Sequence, residues 1–207
     1  MIILNRFRYN TENTNCKNCT AYRKGCTEKH CPWLTERLEA GAVPYNELLN
    51  ICFENLQNKR LKARLRHLAF GYCCGWFYDE CHRRRFEQAK AALRINLNTI
   101  SPRHAAALFL LTVDEQLWRC AEKGATSYGF QFGQIKLRNI STDAYALYQA
   151  AKSLYTGVER ITISELADPV IISGPVFTAI INGILIARFG TEVFHFANQR
   201  NERGIHQ

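Results

Sequence analysis

Apolar residues recur three and four positions apart through most of this 207-residue chain, the spacing that places side chains on one face of an α-helix. Between these stretches stand glycines, prolines and short polar groups of the kind that begin and end helices. Apolar residues make up 47% of the chain, enough for a chain of this length to bury one core. The sequence therefore predicts an all-α, multi-helix globular domain, with at most a minor pair of strands.

The same pattern predicts where the helices begin and end. Helices are expected over residues 32–38, 44–56, 57–70, 80–95, 102–111, 113–121, 143–155, 165–168 and 175–189. The expected N-terminal caps are Asp79, Ser101 before Pro102, Thr112 in a capping box with Glu115, Ser141 or Thr142, Ser164 and Ser173. Strand pieces are expected at 2–9 and 159–163, with a loop or extended section at 125–140.

Three regions are expected along the chain. Residues 1–40 are predicted to form a metal-binding loop with a short helix, residues 41–196 the helical domain, and residues 197–207 a polar, disordered tail. The most apolar run, 176–187, is 12 residues long, whereas a membrane-spanning helix needs about 18 to 20. No apolar signal segment is visible at the N-terminus either. We therefore expect a cytoplasmic protein without a membrane segment.

Four cysteines, Cys16, Cys19, Cys26 and Cys31, fall within sixteen residues near the N-terminus. Two thiolates separated by two residues can reach one ion from a tight turn, and a second pair completes the tetrahedron that structural zinc prefers. The spacing therefore predicts a structural zinc site, with His30 as a substitute ligand. An iron–sulfur cluster, disulfides and unligated thiols are the alternatives, although the odd total of nine cysteines argues against disulfides.

The cysteine loop leads into the first predicted helix. Pro32 suits the first helical position, which would put Cys31 near the N-cap, where the helix dipole favours a thiolate. The other cysteines lie mostly in apolar helical surroundings, where a free thiol packs as a small hydrophobe: Cys52, Cys73, Cys74, Cys81 and Cys120. A second ion held by Cys73, Cys81 and His82 is the alternative to this structural role.

The net charge of +9 lies entirely in the first half of the chain. Residues 1–103 contain 18 Lys and Arg against 9 Asp and Glu, whereas residues 104–207 contain 9 of each kind. Two runs supply much of the excess: Lys59, Arg60, Lys62, Arg64 and Arg66, and then Arg83, Arg84 and Arg85. Helical spacing stacks the first run into stripes of like charge, a repulsion that phosphates or an acidic protein surface would offset. The alternative is a solvated face balanced by nearby acids: Glu54, Asp79, Glu80 and Glu87.

An aromatic segment lies between the two basic runs. Its rings are Phe70, Tyr72, Trp76, Phe77 and Tyr78. Aromatic side chains of this size usually fill a core, and that is the expected role. Next to a basic surface they would alternatively serve as stacking platforms for the bases of a single strand.

Recognised catalytic motifs are missing from the sequence: it has no glycine-rich phosphate loop, nucleophile elbow or His-Glu-x-x-His motif. The ingredients of a metal-dependent nuclease are His67, His82, His104, Asp79, Glu80 and Asp114. No spacing places two of them with a carboxylate on one helical face, so a nuclease ranks behind two binding functions.

Several segments carry a resemblance. They are 79–86, 108–118, 141–157, 163–168 and 184–190, together with an aromatic and arginine start, 5-NRFRY-9, and a cysteine loop that ends in Cys-Pro-Trp. In these segments the chain resembles a family of uncharacterised proteins carried on bacterial mobile elements such as integrative conjugative elements. The resemblance implies a genomic setting and brings no activity or catalytic residue with it.

Together these features predict a non-enzymatic, zinc-stapled accessory or regulatory protein of a mobile element that binds nucleic acid through a basic helical face. The alternative is a protein that binds and inhibits a host defence or regulatory complex. In that case the same basic residues would dock where the complex holds its own nucleic acid.

Overall fold

The structure is a computed structural model that describes residues 31–71 and 75–194, together with Tyr9, Asn13, Thr14, Cys16 and Cys19. The described chain is mainly helical, which confirms the predicted all-α class. Its helices are α1 (Leu34–Glu39), α2 (Tyr45–Cys52), α3 (Lys59–Gly71), α4 (Glu80–Ala92), α5 (Pro102–Leu111), α6 (Glu115–Ala121), α7 (Thr142–Thr156), α8 (Ile163–Ala167) and α9 (Gly174–Phe189). Short 3-10 turns cover Glu122–Gly124 and Thr191–Phe194.

The chain forms two compact units. The first comprises Met1–Glu54 with Glu192–Gln207, and the second comprises Asn55–Thr191. The division therefore follows α2, whereas the sequence predicted a boundary between residues 40 and 41. The predicted tail, 197–207, and nearly all of the predicted strand 2–9 lie outside the described residues.

The core of the second unit is built around α5. Every residue of α5 from His104 to Leu111 is buried, and the helix packs against both α7 and α9. A helix that is apolar on all sides is stable only at the centre of a domain, where it has neighbours on every face. Helix α9 approaches it closely at Gly183, where a Cβ atom would lie 2.8 Å from Cγ of Leu110.

One polar side chain inside this core is satisfied by the backbone. Asn182 of α9 is buried, and its Nδ2 donates a hydrogen bond of 2.8 Å to the carbonyl of Trp76. Buried amides need such partners because an unmet donor loses its hydration without compensation. The bond therefore ties the segment before α4 to the central helices.

The predicted loop 125–140 contains a small antiparallel hairpin. Its strands are β1 (Ala125–Thr126) and β2 (Gly129–Phe130). Gly129 has φ of +152° and no room for a side chain, because an added Cβ would lie 1.9 Å from Oη of Tyr155. That hydroxyl accepts a hydrogen bond of 3.2 Å from the backbone N–H of Phe130.

The predicted start of α6 was wrong. The hydroxyl of Thr112 donates to the carbonyls of Leu108 and Phe109 at 2.9 and 3.0 Å, within the last turn of α5. Asp114 caps α6 instead, and its carboxylate accepts the N–H of Leu117 at 2.7 Å. The caps at Asp79, Ser101 and Ser141 are confirmed.

The predicted strand at 159–163 was also wrong. A capping box begins α8 there, in which the hydroxyl of Thr162 accepts the N–H of Glu165 and the Glu165 carboxylate accepts the N–H of Thr162. Ile163 is therefore the first residue of a helix, and the predicted cap at Ser164 lies inside it. Reciprocal capping satisfies two donors at once, which outweighs the strand preference of a short β-branched run.

In the described part of the chain, no helix combines the length and the apolar composition that crossing a bilayer requires.

Candidate functional site

Helix α3 carries the first basic run. The Oδ1 of Asn58 accepts the N–H of Leu61 at 2.9 Å, so this amide caps the start of the helix. Leu61 and Leu65 are buried, and α3 packs against α8. The opposite faces of α3 are exposed and bear four cations: Lys59, Arg60, Lys62 and Arg66.

Arg64 belongs to the same run and has a different role. Its guanidinium donates to the carbonyls of Leu166 at 2.9 Å, Asp168 at 3.3 Å and Ile172. It also lies 4.1 Å over the ring of Phe177, and burial lowers its pKa. Arg64 thus satisfies carbonyl groups at the end of α8 and in the loop after it, so its role is structural.

The four exposed cations of α3 are not matched by carboxylates. Among the described residues, no ion pair involves α3. Two of the acids that the sequence offered as internal partners pair within α4: Glu80 pairs with Arg83 at 3.6 Å and Glu87 pairs with Lys90. Asp79 caps α4, accepting the N–H of His82 at 2.6 Å.

Helix α4 carries the second basic run and packs against α5. Arg83 and Arg84 are exposed. Arg85 turns inward, where its Nε donates to the carbonyl of Thr112 at 2.9 Å and its Nη2 to that of Val113 at 2.5 Å. Of the eight predicted basic contact residues, Arg64 and Arg85 therefore donate hydrogen bonds to carbonyls at or just after the ends of helices. The other six are exposed, and they lie on two helices that pack against different neighbours.

The aromatic segment is divided between core and surface. Trp76 is 2% exposed, and the ring of Phe77 packs against His82, Phe86 and Phe109. Phe70, at the end of α3, is 92% exposed. Tyr78 is partly exposed and Tyr72 lies outside the described residues.

His82 is not available as a metal ligand or as a base. It is fully buried, its Nε2–H donates to the carbonyl of Phe109 at 2.9 Å, and its Nδ1 accepts the N–H of Tyr78 at 3.1 Å. Burial lowers its pKa to about 4. Both ring nitrogens are occupied, and Cys81 beside it is exposed and contacts Arg84, so these two residues do not share an ion. Cys73, the third predicted ligand, lies outside the described residues.

The other ingredients of a nuclease are dispersed. His104 is buried against the rings of Phe130 and Tyr155, and its burial lowers its pKa. Asp114 caps α6, and His67 lies on the exposed side of α3. Within the described ranges, no three His, Cys, Asp or Glu side chains gather closely enough to hold a metal ion.

Three of the four clustered cysteines are described, whereas Cys26 and His30 are not. Cys16, Cys19 and Cys31 are free thiols, and these three described residues do not form a group that could hold a metal ion in this structure. The N–H of Cys19 donates to the carbonyl of Cys16 at 3.2 Å, which closes a tight turn between them. Helix α1 begins at Leu34 with Trp33 as its N-cap, so the predicted cap position of Cys31 was wrong by two residues.

A buried ion pair next to the cysteines was not predicted. Arg37 of α1 donates to both carboxylate oxygens of Glu47 of α2, at 2.6 and 2.8 Å. Its pKa is raised, first by the hydrogen bond with Glu47, and a hydrogen bond with Cys31 adds to the effect. One sequence signal indicated this role: Arg37 shares the apolar spacing of Leu34 and Leu38, where a surface arginine would be out of place.

Comparisons with known proteins return no match for this chain, whether against protein-family models, curated proteins or solved structures. The chemistry of its own surfaces is therefore what points to a function.

Proposed function

We propose that this protein is a non-enzymatic accessory or regulatory protein of a mobile element that binds nucleic acid through the outer faces of α3. The observation that supports this most is that Lys59, Arg60, Lys62 and Arg66 are exposed and have no carboxylate partner among the described residues. Arg83 and Arg84 of α4 are further exposed cations, although Arg83 is paired with Glu80. Arg64 and Arg85 bond backbone carbonyls within the fold, so we do not include them among the residues that contact nucleic acid.

The physical reason lies in the repulsion along α3. Lys59 and Lys62 are three residues apart, and Lys62 and Arg66 four apart, so their charges stack on one side of the helix. Such pairs destabilise an isolated helix by a few tenths of a kcal/mol each, unless an anion lies against them. Phosphates would relieve the repulsion and release counterions from the nucleic acid, a favourable term that is independent of base sequence.

The test compares two variants that lose equal charge. The first replaces Lys59, Lys62 and Arg66 by Gln, and the control replaces three exposed cations elsewhere: Arg119, Lys123 and Lys136. We expect the α3 variant to bind DNA or RNA at least about tenfold more weakly at 0.1 M salt, and the control to stay within about twofold.

A different outcome would redirect the proposal. If the wild-type protein binds no nucleic acid but co-purifies with a protein complex, and the α3 variant loses that complex, the surface is an inhibitor surface for an acidic protein partner. If both triple variants behave like the wild type in both assays, the α3 face is only a solvated surface.

We also propose that Cys16, Cys19, Cys26 and Cys31 come together around a structural zinc ion when the metal binds, because a loop of this kind folds with its metal. The tight turn between Cys16 and Cys19 supports this, as does the hydrogen bond between Arg37 and Cys31. A zinc ion with four thiolates carries a net negative charge, which a buried arginine would balance. Reduced thiols at these positions require a reducing compartment, so we infer a cytoplasmic location.

Elemental analysis of the reduced protein tests the zinc proposal. We expect about one zinc per chain, lost on Cys16→Ser and kept on Cys120→Ser, a matched change outside the cluster. Iron in place of zinc would indicate a cluster. The absence of any stoichiometric metal in protein produced with added zinc would contradict the proposal.

A further inference from the structure

The exposed side of α3 ends in an aromatic ring. Phe70 lies four residues after Arg66 and three after His67, so helical spacing puts all three side chains on neighbouring positions of one face. All three are exposed, and the Phe70 ring is 92% exposed, at the C-terminal end of the helix. A row of unpaired cations therefore leads to a flat apolar surface.

Phe70 does not contribute to the hydrophobic core. Leu61 and Leu65 supply the buried side of α3, and Arg64 fills the position between α3 and the end of α8. Of the aromatic residues that follow, Trp76 and Phe77 pack inside the unit, whereas Phe70 projects from it. Its ring is thus available for a partner with a flat apolar surface, next to groups that attract negative charge.

Unpaired bases alternate with phosphates along a single strand, which matches this combination. In a duplex the base faces are stacked inside the helix and cannot lie on a protein ring, whereas the bases of a single strand are free to do so. An acidic protein surface would satisfy the cations and leave the ring without a specific partner. We propose that the α3 face binds single-stranded nucleic acid, with a base stacked on Phe70 and the adjoining phosphates held by Lys62 and Arg66. This inference rests on the proposed function and narrows its ligand.

The test measures binding of labelled oligonucleotides of about 12 nucleotides, single-stranded and as the matching duplex, to the full-length protein. Phe70→Ala is expected to weaken single-strand binding about 5- to 100-fold, the range for losing one stacked base. Its salt dependence should stay that of the wild type, because no charge is removed. Duplex binding should change less than about twofold, because no base face is available to Phe70 there.

Two further variants distinguish base stacking on Phe70 from the nonspecific effect of removing an exposed ring. Phe70→Trp keeps a flat ring and should bind single strands at least as tightly as the wild type. Tyr128→Ala removes an equally exposed ring from the hairpin turn and should leave binding unchanged. Far-UV circular dichroism checks that each variant keeps its helix content.

The outcomes distinguish this inference from the proposed function. If Phe70→Ala binds single strands as well as the wild type while the Lys59, Lys62 and Arg66 variant does not, the stacking inference fails and nucleic-acid binding stands. If the wild type binds duplex more tightly than single strand, the inference also fails. If neither variant affects any nucleic-acid binding, both fail.

Discussion

Arg64 and Lys62 lie two positions apart in one basic run and do different things. Arg64 donates to three carbonyl groups around the end of α8, whereas Lys62 is exposed and unpaired among the described residues. A guanidinium has five donors in a planar fork and can therefore bond several carbonyls at once. The lysine ammonium is a compact charge that stays hydrated at the surface. Charge alone therefore does not tell which residue contacts a ligand.

This difference predicts opposite effects on stability. Arg64→Gln should lower the free energy of unfolding by about 2 to 3 kcal/mol, because carbonyls that accept from a charged donor lose their partner. Lys62→Gln should change it by less than about 0.5 kcal/mol. Urea denaturation of both variants measures the two values, and equal values would mean that the Arg64 contacts do not contribute.

His82 makes the protein sensitive to acid. Its pKa is lowered to about 4 by burial, with Arg85 adding to the effect and the Phe109 hydrogen bond and Asp79 opposing it. In the unfolded chain a histidine takes up its proton near pH 6.5. Between about pH 6.5 and pH 4 this histidine is protonated in the unfolded chain and neutral in the folded protein. The free energy of unfolding therefore falls as the pH drops through this range.

The expected contribution of His82 over this range is about 3 kcal/mol. We expect His82→Gln to be less stable than the wild type at pH 7, and the gap to narrow as the pH approaches 4.5. The exposed His67→Gln is the control and should follow the wild type. Urea denaturation at several pH values gives the comparison; a gap independent of pH would show that His82 titrates normally in the folded protein.

At the scale of whole helices, stability of the second unit depends on how closely α5 and α9 pack. Gly183 of α9 leaves no space for a methyl group, because Leu110 of the buried α5 lies against it. Gly71, the last residue of α3, has no atom within 4 Å of an added Cβ. The two glycines thus separate helix propensity from packing.

Gly183→Ala should destabilise the protein, because overpacking costs about 1 to 3 kcal/mol and exceeds the gain of up to about 1 kcal/mol in helix propensity. Gly71→Ala should be neutral or slightly stabilising. Thermal unfolding followed by circular dichroism measures both variants. A Gly183→Ala protein at least as stable as the wild type would show that the Leu110 side chain or the two helices shift at little cost.

At the scale of the whole molecule, the charge distribution sets how binding responds to salt. All of the excess positive charge lies in residues 1–103, and four of its cations are on α3 without carboxylate partners in the described residues. Each phosphate neutralised on a single strand contributes about 0.7 to the slope of log affinity against log salt concentration. The slope therefore gives the number of phosphates that the protein surface contacts.

Removing Lys59, Lys62 and Arg66 should make this slope shallower by about 2, since three contacts are lost. Titrations between about 50 and 200 mM salt measure the slopes of the wild type and the variant. Parallel lines would mean that these side chains do not contact phosphates, even if the variant binds more weakly.

Local patterns in the sequence determined most of the helices. Nearly all boundaries agree with the structure to within a few residues, and the caps at Asp79, Ser101 and Ser141 follow from a side chain reaching an amide three residues ahead. Such bonds are local, so they can be read from neighbouring residues. The errors at Thr112 and at 159–163 arose where two local patterns competed.

Only the tertiary structure decided which side chains are free to act. The carbonyls that take up Arg64 come from Leu166, Asp168 and Ile172, about a hundred positions away, and no nearby residue indicates them. In the same way, His82 is buried and Phe77 packs against Phe109 of α5, whereas Phe70 is exposed. A helix forms from contacts within its own turns, whereas the partner of a side chain depends on what the folded chain brings beside it.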